Sequence, residues 1–250
     1  METNASTMNH TSPGQRTWRL PRLLLEDQLA LAGLSWIGLI GFTMAVVTGV
    51  SFYRDIVVSG WEVASGIVPW YAAFIGGYVL HTMLPLHISH GRTRRDFAIE
   101  AVIFGGIFTT VVALLTTAGF LIEQGVYALA GWSRGTPNNH LYASYTEYAT
   151  IFAEYWLTVL VWTAAGAFVG ASVYRSSELG WFSLVPALGM VAIAGLTQTN
   201  TGQPMGFILN RLPETGSTSL VLTAVLSLVS VLIGTGLTWL TIRDTPMRNA

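Results

Sequence analysis

The chain has 250 residues, of which 52% are hydrophobic and only 10% charged, with a net charge of −1. Soluble domains carry roughly 25% charged residues, so this chain lacks the charge to cover a soluble surface, and a free cytosolic enzyme is excluded. Cysteine is absent and all 12 basic residues are Arg, which removes disulfides, thiolate metal sites, cysteine nucleophiles and any lysine chemistry. A near-neutral balance gives no sign of a nucleic-acid partner. The composition is that of an integral membrane protein.

Residues 1–14 are polar and read as a disordered tail, and residues 15–250 as one membrane domain without internal repeats. No short apolar core with a small-residue cleavage site opens the chain, so no cleaved leader is expected. Arg16, Arg19 and Arg22 recur every three residues among Trp18, Leu20 and Leu23. This spacing predicts an interfacial helix with Trp18 in the aromatic belt, the alternative being a plain topogenic basic tail.

A bilayer core of ~30 Å needs about 20 helical residues. Long apolar runs predict six spans, at about 29–52, 66–88, 98–122, 149–173, 180–197 and 218–242. They do not alternate, which argues against a barrel and for an all-α bundle. With the N-terminus in the cytoplasm, nine Arg fall inside and three (Arg54, Arg134, Arg211) outside, so both termini are expected in the cytoplasm. The outer segment 198–217 holds a small apolar island between polar turns and is expected to dip back into the membrane as a short re-entrant element.

Between the second and third runs lies His87-Ile88-Ser89-His90-Gly91-Arg92-Thr93-Arg94-Arg95-Asp96-Phe97. On charge alone this is a positive-inside anchor. Gly91 permits a sharp reversal, Thr93 can cap a helix starting near Arg94, and an Arg-rich corner of defined shape suits docking to an acidic partner.

Six spans, a short helix before the first and a corner reading Ser89, Gly91, Thr93, Arg94, Arg95 and Phe97 resemble the permease subunits of ABC-2 type ABC exporters. The resemblance implies that Arg92, Thr93, Arg94, Arg95 and Asp96 couple to a separate ATPase subunit. Arg16, Trp18, Arg19 and Arg22 would then form the cytoplasmic elbow helix, and a second permease chain would complete the dimer. It implies ATP-driven efflux of a drug, antibiotic, lipid or small peptide across a bacterial cell membrane. No enzyme activity and no cofactor would belong to this chain, with ATP and Mg²⁺ bound by the partner. A G-x-x-x-x-G-K-[ST] loop is impossible without Lys, so the motor cannot lie here.

Three further patterns bear on function. Trp70, Phe74, Tyr78 and His81 share one helical side and are either packing or a substrate-path wall. Glu147, Thr150, Glu154 and Thr158 fall on a narrow arc that lipid would reject, Glu154 and Thr158 being candidates for the same path. Glu154, about 7.5 Å below the outer border, could instead snorkel to water or pair with Arg134 or Arg211. Glu62 reads as a loop residue. The five His lack metal spacing and no metal site is expected, although a redox or metal role for His81, His87 and His90 is one rival, and a non-transporting scaffold or immunity protein another.

Overall fold

In the computed structural model, which describes residues 19–56, 58–133, 135, 140–178, 180–195 and 219–243, every regular element is helical. The helices are α1 (Arg19–Ser51), α2 (Gly60–Ser65), α3 (Val68–Tyr78), α4 (Leu84–Ser89), α5 (Arg94–Ala130), α6 (Tyr148–Arg175), α7 (Leu184–Gly195) and α8 (Leu220–Arg243). A π-helical turn (Val79–Met83) joins α3 to α4 and a 3₁₀ turn (Gly180–Ser183) leads into α7.

Five apolar stretches are long enough to cross a bilayer: Gln28–Ser51, Gly60–Ser89, Arg94–Ala130, Tyr148–Arg175 and Leu220–Arg243. Side chains such as Leu34, Phe42, Val221 and Leu232 are about 70% exposed on their outer faces. A belt of that kind is stable only against lipid, where helices satisfy their own backbone groups. The chain is therefore a multi-pass membrane protein. The sixth expected span corresponds to a shorter apolar helix, Gly180–Gly195. The expected re-entrant segment at 198–217 lies outside the described residues.

Two expectations are revised. Among the described residues no separate helix precedes the first span: α1 runs unbroken from Arg19 to Ser51, with Pro21 tolerated inside its first turn where its missing N–H costs no bond. Arg19 and Arg22 thus start the spanning helix itself, while Arg16 and Trp18 lie outside the described residues. The second span is segmented. Pro69 and Pro85 sit at the starts of α3 and α4, and the π turn precedes Pro85, where a residue without an N–H opens the helical ladder.

Helix α6 occupies the centre and packs on α3, α5, α7 and α8. Its approach to α3 is backbone on backbone: a Cβ on Gly166 would fall into the Ala73 carbonyl, one on Gly170 into Gly77, and one on Gly76 into Thr163. Small residues allow such contact between membrane helices, where packing rather than water drives association. Helix α1 is peripheral and rests on α5 and α2.

Candidate functional site

The Arg-rich corner is a built turn at the end of the bundle where α4, α5 and α8 meet. Gly91 takes φ 74°, a left-handed conformation costly for residues with a Cβ. Thr93 has extended backbone and caps α5: its hydroxyl accepts the Asp96 N–H at 3.1 Å and donates to the Asp96 carboxylate at 2.7 Å. Arg92 pairs with Glu100 at 2.7 Å. Arg94 donates to the backbone carbonyl of Arg243 at 2.5 Å, tying the start of α5 to the end of α8. Arg95 and Asp96 project outward. His87 is 1% exposed beneath the turn, packs on Phe97 and stands 3.8 Å from Glu100.

Trp70, Phe74 and His81 come together as expected. With Trp162 and Trp181 they line a groove of about 450 Å³ between α3, α6 and α7. Trp70 meets Trp162 edge-on at 4.9 Å, Tyr78 stacks on Phe74, and His81 lies edge-on to Tyr174. Glu154 and Thr158 do not join this groove. They are buried towards the opposite end of α6.

There the structure departs most from expectation. Glu154 is 1% exposed, so it does not snorkel. Its partner is His140, whose Nδ1 lies 2.7 Å away, and its second oxygen accepts the Leu141 N–H at 2.9 Å. Arg134 and Arg211, the expected partners, lie outside the described residues. The other imidazole nitrogen lies 3.1 Å from Glu62. Glu62 is not on a loop but in α2, where it also accepts the Tyr145 hydroxyl. Burial pulls the His140 pKa down, but hydrogen bonds and charge from Glu154 and Glu62 outweigh it and raise the value to about 9. The ring is therefore an imidazolium held between two carboxylates.

A second buried acid anchors the same region. Glu123 on α5 is 0% exposed and accepts the Trp61 N–H at 2.8 Å and the Ser59 hydroxyl at 2.7 Å. Ser59 in turn caps α2 by accepting the Glu62 N–H. Tyr127 donates to the Val58 carbonyl and accepts the Gly60 N–H. Trp61, Phe120, Tyr142, Tyr145 and Tyr155 pack around this polar centre, and the Tyr155 and Ser65 hydroxyls are hydrogen-bonded at 2.5 Å. Sequence reading missed Glu62, Glu123 and His140. Ser59-x-x-Glu62 is a capping-box spacing and could have marked the start of α2.

Chemically, the corner offers fixed positive charge at a rigid surface, the aromatic groove offers apolar contact area, and the acid cluster clamps the segment after α5 onto α2 and α6. No group of three His, Asp or Glu with metal-holding geometry occurs among the described residues. Comparisons with protein families, with curated proteins and with solved structures yield no match.

Proposed function

We propose that this chain is the membrane-spanning subunit of an ATP-driven exporter, with a separate ATPase docking at the Arg92–Asp96 corner. The observation that carries the reading is the corner itself. A capped helix start, closed by Gly91 and Thr93, presents Arg95 outward while Arg94 grips the end of α8. A partner pressing there acts on α4, α5 and α8 together, which suits a rigid-body switch between two packings. Guanidinium groups fit acidic partners bidentately.

In this reading the corner faces the cytoplasm, both termini lie there, and the chain pairs with a second permease chain in a bacterial cell membrane. ATP and Mg²⁺ belong to the motor. The cargo is a hydrophobic or amphipathic molecule, consistent with the aromatic groove. This chain makes and breaks no covalent bond.

The test replaces Arg94 and Arg95 together by Ala and, as a control, Arg175, an exposed cation ending α6. Loss of ATPase co-purification and of substrate-stimulated hydrolysis in the first variant, with both retained in the control, supports docking. Equal behaviour after normal membrane insertion reduces the corner to a positive-inside anchor. Recovery of the tagged chain without any ATPase favours the scaffold alternative.

A further inference from the structure

A space of about 280 Å³ lies between α1, α3 and α5, lined by Ser35, Trp36 and Leu39 on one side and by Tyr71, Val112 and Thr116 on the others. Its walls carry no charged residue. Two hydrogen-bonding groups at its border have no partner: the indole N–H of Trp36 and the hydroxyl of Tyr71, both shielded from solvent. Their rings are held in place by neighbours outside the cavity, Trp36 edge-on to Trp61 at 6.2 Å and Tyr71 against Phe108 at 5.9 Å. Thr116 is already engaged, its hydroxyl donating to Val112 and its carbonyl accepting the Trp61 indole N–H.

Buried donors in native proteins are almost always paired, and an unpaired pair beside one cavity marks something that completes them. Both groups donate, and an indole N–H can do nothing else, so the complement is an acceptor. The absence of charge along the walls selects a neutral molecule, because an ion would be stranded in an apolar setting. Volume and aromatic walls fit a compact, flat, apolar body.

We propose that this space is a binding site for a small, neutral, hydrophobic molecule carrying a carbonyl acceptor, taken from the bilayer as a free solute, with Trp36 and Tyr71 donating to that carbonyl. The site is distinct from the Trp70–Trp162 groove, on the other side of α3. It does not depend on motor docking, since binding is measured on the purified chain alone.

The probe is prodan, a neutral naphthyl ketone whose emission responds to hydrogen bonding at its carbonyl. Titrated into the full chain in lipid nanodiscs, it should bind saturably. Tyr71→Phe, which keeps the ring and removes the donor, and Trp36→Phe, which keeps an aromatic side chain and removes the indole N–H, should each weaken binding roughly three- to tenfold and shift bound emission to shorter wavelength. Ser35→Trp, placed on an exposed face of α1, should fill the space and abolish binding, whereas Tyr53→Phe, which removes a hydroxyl at an exposed position lining neither cavity, should change nothing. Unsaturable partitioning that is equal in all variants overturns the site. So does an effect of Tyr53→Phe that matches the other two. Repeating the titration in ester-linked and ether-linked phosphatidylcholine separates the sources: equal affinity supports a free solute, while binding restored only in ether lipid assigns both donors to lipid ester carbonyls and overturns the proposal. Should Ser35→Trp fail to fold, Trp36→Phe and the ring-conserving Tyr71→Phe still decide the matter.

Discussion

His140 Nδ1 lies 2.7 Å from Glu154 Oε1, a pair that joins the segment after α5 to the heart of α6. Because Glu62 engages the other nitrogen, protonation of one ring holds two helices and a connecting segment together. The folded pKa, about 9, lies above the unfolded value of 6.5. The resulting stabilisation is complete below pH 6.5 and is lost as pH rises through 9, on the order of 3 kcal/mol in all.

Thermal unfolding of the purified chain followed from pH 6 to pH 10 should therefore show stability falling across the window set by the shift from 6.5 to about 9. His140→Gln should begin lower and show a flatter profile there. Parallel curves for the two proteins would remove His140 as the titrating group.

Glu154→Gln and Glu62→Gln should both destabilise the chain. Glu154 is the more enclosed, its side chain 1% exposed against 19% for Glu62, so its loss should cost more. Removing one partner of a buried pair costs about 3–5 kcal/mol when the other charge is left alone, and less here because the ring keeps its second carboxylate. The two substitutions share His140, so their effects should fall short of additive in a double-mutant cycle. Strict additivity would show that the imidazolium does not link them.

At the α3–α6 crossing, Gly166→Ala and Gly170→Ala should reduce the yield of folded protein, because the new methyl meets backbone that cannot swing aside. Overpacking of this kind costs about 1–3 kcal/mol. Gly105→Ala and Gly106→Ala, on α5 with open space around them, should be neutral or mildly stabilising. Size-exclusion profiles and melting temperatures of the four variants check the contrast.

Thr93→Ala should loosen the start of α5 by about 1 kcal/mol, and Thr93→Ser should retain most of the cap. Hydrogen exchange at residues 94–97 reads this directly. Equal exchange in both variants would show that the hydroxyl does not hold the turn.

Five of the six expected spans were legible because charge-free length is a local property: the uncharged stretch that starts at Leu29 runs to the end of α1 at Ser51. The Thr93 cap was legible for the same reason, since Thr93 and Asp96 lie three residues apart. Helical spacing also pointed Glu154 and Thr158 inward correctly. It could not name the partner, because the Glu62–His140 contact spans 78 positions and the Ser59–Glu123 contact 64. Nothing in a hydropathy window marks which distant imidazole meets a carboxylate. The segmentation of the second span was concealed by its continuous apolarity, although Pro69 and Pro85 carried the signal. Likewise the continuity of α1 was obscured by a change of polarity that alters where a helix sits and not whether it continues.

The long separation between Glu62 and His140 also orders biogenesis. At about 5–20 residues per second, roughly 4–16 s pass between synthesis of Glu62 and synthesis of its imidazole partner 78 positions later. Two whole spans, Gly60–Ser89 and Arg94–Ala130, are therefore made before the imidazole that clamps α2 exists. The clamp on α2 and α6 can close only once the third span has been followed by residues 140–145, so it locks an arrangement of helices and cannot initiate one.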